Sequence, residues 1–125
     1  VSVAAYPPPT FLHPFSDVHW DEAYTRQVAK RADQLAFMMY DTALQAPKVY
    51  EWLMRAWTGE ILAWASATEV LLGVPAYDDA GVGYHNPRVE NVEHALAGIQ
   101  AGLSDAEPLP PHFAGVALYS DWEMD

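Results

Sequence analysis

Four short apolar runs break up the chain, and between them lie longer stretches in which apolar residues recur every three or four positions. Runs such as Leu35 to Met39 are bounded by polar residues and do not alternate, as strands buried on both faces of a parallel sheet read. The stretches between them read as amphipathic helices. Strands are therefore expected at about 1–6, 34–40, 69–77 and 114–120, and helices at about 19–32, 47–65 and 87–103.

Punctuation residues refine those bounds. Pro7, Pro8 and Pro9 end the first run, because proline cannot donate to a sheet ladder. Ser16 or Asp17 is placed to cap the first helix, with Asp21 and Glu22 at its positive end and Tyr24, Val28 and Ala32 as a weak stripe. Pro47 suits the first turn of the second helix, where Val49, Trp52, Leu53, Ala56, Trp57, Glu60, Ile61 and Trp64 form a core stripe with Glu60 its one polar break, and Gly59 weakens the middle as a candidate bend or close contact. Asn86 and Pro87 are expected to open the third, with Val89, Val92, Leu96, Ile99 and Leu103 on one face.

The order is strand, helix, strand, helix, strand, helix, strand, and right-handed crossovers make all four strands parallel. A single α/β domain spanning 1–125, parallel βαβαβαβ, is the expected fold. Every strand then ends on the same edge, where parallel folds place their chemistry. Collected there are Tyr6, Tyr40 with Asp41, Tyr77 with Asp78 and Asp79, and Trp122 with Glu123, joined by loops bearing His13, His19, Tyr84 and His85. Each aromatic or acid alone reads as an ordinary strand end, and each histidine as a hydrogen-bonded loop or helix residue. Four strand ends with the same aromatic-plus-acid chemistry make a candidate site.

Charge narrows the ligand. A net charge of -11 opposes nucleic acid, anionic membrane surfaces and polyphosphates, leaving neutral or cationic ligands favoured. With no cysteine, disulfides, thiolate metal sites and thiol nucleophiles are excluded. No apolar run approaches the roughly 20 residues that cross a bilayer, so membrane insertion is not expected. Gly81 and Gly83 lack the rest of a phosphate-binding fingerprint, and no metal-ligand spacing is recognisable, so neither a nucleotide nor a metal cofactor is expected. Rings beside carboxylates suit a carbohydrate, whose C–H faces pack on aromatics while its hydroxyls bond to acids.

The runs FMMYDT, LLGVPAYDD and GVALYSDW together resemble the C-terminal half of a chitinase-type glycoside hydrolase barrel. In that family the sixth strand ends in Met-x-Tyr-Asp, matched by Met38, Met39, Tyr40 and Asp41. The seventh carries Gly-x-Pro-x-Tyr, matched by Gly73 to Tyr77, and the eighth ends in a tryptophan matched by Trp122. The resemblance implies half of a (β/α)8 TIM barrel in which Tyr40 and Asp41 contact the sugar at the cleavage point and Trp122 stacks beneath it, with an extracytoplasmic location. The family's proton donor ends an Asp-x-x-Asp-x-Asp-x-Glu motif that is missing here. The expectation is thus the substrate-binding half of a glycoside hydrolase-like barrel, inactive alone, which either another segment, chain or copy completes or which stands as an open sheet with edges that invite pairing. The alternative is a noncatalytic carbohydrate-binding module or self-associating scaffold.

Overall fold

The computed structural model describes residues 1–10, 19–40, 42–76 and 87–119. Within them the chain runs β1 (Ser2–Ala5), α1 (Glu22–Ala29), β2 (Gln34–Met38), α2 (Pro47–Trp64), β3 (Glu69–Pro75), α3 (Val92–Asp105) and β4 (Phe113–Tyr119). The strands form one sheet in the order β1-β2-β3-β4, every neighbouring pair parallel. This is the expected parallel βαβαβαβ arrangement, like half of a barrel. Because each crossover steps to the next strand in the same direction and with the same hand, all three helices fall on one face.

That one-sidedness alters the strand picture. Leu35, Phe37 and Met39 are fully buried against the helices, with Val70, Leu72 and Val74 beside them. Their alternates Ala36, Met38 and Leu71 are only half-buried, because no described helix lies over them. Burial on both faces was expected and is found only in the C-terminal half of β3, where Gly73 and Pro75 are buried as well as Leu72 and Val74. The apolar character of the alternates belongs to a second, open face.

The core lies between the sheet and α2. Tyr50, Leu53, Met54, Trp57, Thr58, Ile61 and Leu62 line the inward side of α2. This stripe is turned by about 100° from the expected one, leaving Trp52 63% exposed and Ala56 at the surface. The cause is α3, which presses on the Met54 side: a Cβ on Gly98 would stand 2.3 Å from the Glu51 carbonyl oxygen and 2.5 Å from Met54 Cβ. On α3 the buried residues are Ala95, Gly98, Ile99 and Gly102, so small residues carry the contact and Leu96 is exposed. Likewise α1 buries Thr25 and Ala29 and leaves Tyr24 outside. At Gly59, α2 continues unbroken, with open space where a side chain would be.

Two helix starts also differ from expectation. Asp21 caps α1, its carboxylate accepting from the Tyr24 amide at 2.8 Å. Asn91 caps α3, accepting from the His94 amide at 2.9 Å while its own amide group donates to the Pro87 carbonyl at 3.1 Å. In both cases the helix begins at the polar residue whose side chain reaches the third amide along. Among the described residues no helix is long and apolar enough to cross a membrane.

Candidate functional site

The C-terminal edge of the sheet carries Tyr6, Tyr40 and Tyr119. Past the end of β2 the ladder continues, the Met39 amide donating to the Gly73 carbonyl at 3.0 Å. Tyr50 of α2 holds this point, its hydroxyl donating to the Met39 carbonyl at 2.9 Å. Tyr40 therefore leaves the sheet from a braced position. On the far side of β3, Tyr119 pairs in register with Pro75, and the Ala76 amide donates to the Tyr119 carbonyl at 2.7 Å.

Strands β2 and β4 are separated by β3, hence by about 9.5 Å. The two rings nevertheless meet, with centroids 5.0 Å apart and planes inclined by 20°. They do so by reaching over β3 at its smallest residue: a Cβ on Gly73 would lie 3.6 Å from Tyr40 Cε1 and 2.9 Å from the Phe37 carbonyl oxygen. Gly73 and Pro75 are buried beneath this span, while Tyr119 remains 53% exposed. The result is an aromatic platform on the open face, at the end of the sheet where parallel folds bind ligands.

A buried carboxylate stands behind it. Glu90, with no exposed surface, accepts from the Thr42 amide at 2.6 Å and from the Thr42 hydroxyl. Buried carboxylates are costly unless they are hydrogen-bonded in this way. Glu90 thereby ties the approach to α3 to the loop after β2, two residues past Tyr40.

Of the residues singled out from sequence, Tyr6 sits past the end of β1 on the same edge, 40% exposed. Tyr40 is in the platform. Asp41, Tyr77, Asp78, Asp79, Trp122 and Glu123 lie outside the described residues, as do His13, Tyr84 and His85. His19 is buried rather than lining a loop: its Nδ1–H donates to the Pro7 carbonyl at 2.8 Å, and its ring packs near Trp57. The Trp57 indole N–H donates to the Pro8 carbonyl at 2.7 Å. The proline segment is thus pinned by two side chains, Trp57 of α2 and His19 just before α1. His94 and His112 also bond to backbone carbonyls, of Val89 and Leu62.

Tyr119 and Glu90 were missed from sequence. Tyr119 ends its apolar run as Tyr40 and Tyr77 end theirs, a parallel that could have brought it forward. Glu90 reads only as an acid suited to a helix start. Its inward turn has no sequence signal. Comparison with known protein families, with curated proteins and with solved structures finds no match to this chain.

Proposed function

We propose that this chain is the substrate-binding half of a glycoside hydrolase-like barrel, holding a polysaccharide on the aromatic edge of its sheet. The observation that carries the reading is the Tyr40–Tyr119 stack spanning β3, which offers a ring surface beside exposed Tyr6. A pyranose packs its C–H face on such rings and turns its hydroxyls outward to polar groups. The chain's acidic balance, at -11, suits an uncharged ligand better than an anionic one. By the resemblance, Asp41 and Trp122 contribute a polar contact and a further stacking ring.

Chemistry is a separate matter from binding. The acidic motif that supplies the proton in chitinase-type enzymes is missing from the sequence, and glycoside cleavage needs two carboxyl groups at a set separation. Binding without turnover is therefore the expected behaviour of the chain alone.

Titration with soluble neutral oligosaccharides, followed by calorimetry and by tyrosine fluorescence, tests this. Saturable binding is expected, weakened about 10- to 100-fold in Tyr119→Ala, which corresponds to the roughly 1.5–3 kcal/mol of burying a large side chain. Saturating sugar that leaves both signals unchanged would discard the reading. Appearance of reducing ends, abolished in Asp41→Asn, would show instead that the chain carries its own acid.

A further inference from the structure

We infer that a second copy of this chain closes the sheet into an eight-stranded parallel barrel across its open face. The register defines that face. Ala4, Ala36, Leu71 and Gly115 form one row across the four strands, and Met38, Gly73 and Ala117 the next. At one end Ser2, Gln34 and Glu69 are joined by side-chain hydrogen bonds of 3.0 and 2.7 Å, and at the other lie Tyr40, Pro75 and Tyr119. Large and small apolar side chains alternate between a polar rim and an aromatic rim. Barrel interiors are filled by such inward-pointing layers, whereas a solvated sheet face is polar.

The edges point to the same partner. Strand order equals chain order, so β1 and β4 are the two borders, and no described strand pairs with the outer side of Ser2–Ala5 or of Phe113–Leu118. Native edges are normally blunted by charge or proline. Here SVAA and FAGVALY carry neither, and Leu118 is 65% exposed. A twofold axis parallel to the strands sets β4 of each copy beside β1 of the other, parallel in both places, and leaves no edge open. A partner of different sequence would have to match two unlike borders at once. The copy does so by symmetry.

Charge permits this contact. Although each chain carries -11, the described residues of the open face include Glu69 as their sole charge, at its rim and bonded to Gln34. The acids of α1, α2 and α3 lie on the other side of the sheet.

The inference does not depend on the sugar reading. Sedimentation of the full chain across a concentration series is expected to show a monomer–dimer equilibrium with a dimer of twice 13.9 kDa. Ala36→Glu, at a half-buried position in the middle of the open face, is expected to abolish the dimer while circular dichroism stays that of the parent. The native chain has no cysteine, so mixing a chain bearing only Ala4→Cys with one bearing only Ala117→Cys is clean. A short bifunctional reagent should join unlike chains more than like ones, and this result stands even if Ala36→Glu fails to fold. A 13.9 kDa species at every concentration, or a dimer in which like chains cross-link equally well, overturns the inference. A monomer that binds sugar refutes this inference alone. A dimer that ignores sugar refutes only the proposed function.

Discussion

Gly73 is the residue on which the platform depends. Its missing side chain lets the β2 backbone come close and gives Tyr40 its path across β3. In Gly73→Ala the new methyl would meet the Phe37 carbonyl oxygen at 2.9 Å, a backbone atom that yields only if the strand shifts. A loss of about 1–3 kcal/mol in urea unfolding is expected, the range for overpacking a tight interior. The near-ultraviolet dichroism of the tyrosines should fall with it, because their coupling depends on the stack. Wild-type stability with an unchanged spectrum would show that Gly73 has room to spare. At this scale the sequence was partly legible. Tyr40 stood out because a strand run ends in it, but nothing local distinguishes Glu90 from any acid at a helix start. Its role depends on Thr42, 48 positions away.

At the scale of elements, order and type followed from periodicity and punctuation, while helix phase did not. Both the expected and the observed stripes of α2 have helical spacing, and they share Leu53, Trp57 and Ile61. Hydrophobicity alone cannot choose between them. The choice is made by α3, whose Gly98 and Gly102 approach α2 on its Met54–Thr58 side. Arg55 and Asp105 then clasp the pair, with two hydrogen bonds of 2.6 and 2.7 Å. The hydrogen bond from Arg55, with its charge, holds the Asp105 carboxyl below its ordinary value of 3.8. A carboxyl lowered on folding adds stability that is present above its unfolded pKa and is lost as pH falls through the folded one. As pH falls below about 4 the wild type should therefore lose melting temperature more steeply than Asp105→Asn. The pair is solvent-exposed, so the difference will be small, and parallel curves would show that the clasp contributes nothing.

For the whole molecule, charge and topology act together. Seventeen acids face six bases, and the described ion pairs, Glu22–Arg26, Lys48–Glu51, Arg55–Asp105 and that of the Val1 amino terminus with Asp33, engage few of the acids. Self-repulsion should therefore outweigh attraction. Raising ionic strength from about 0.01 to 0.1 M shortens the screening length from roughly 30 to 10 Å. The melting temperature is expected to rise by a few degrees, as a gain of up to about 1 kcal/mol implies. A fall would mean that ion pairs dominate.

By itself the sequence determined the parallel α/β alternation, since runs bounded by proline and polar residues, joined by helix-length segments, leave right-handed crossovers as the only economical connection. It also brought the strand ends to one edge. Only the tertiary structure decided which side of each helix is buried, that the described helices all lie on one sheet face, and that Tyr40 finds Tyr119 across an intervening strand. Local pattern records how polar each position is. Phase and pairing are set by close approaches between residues far apart in the chain, where a few tenths of an ångström at a glycine decide what fits.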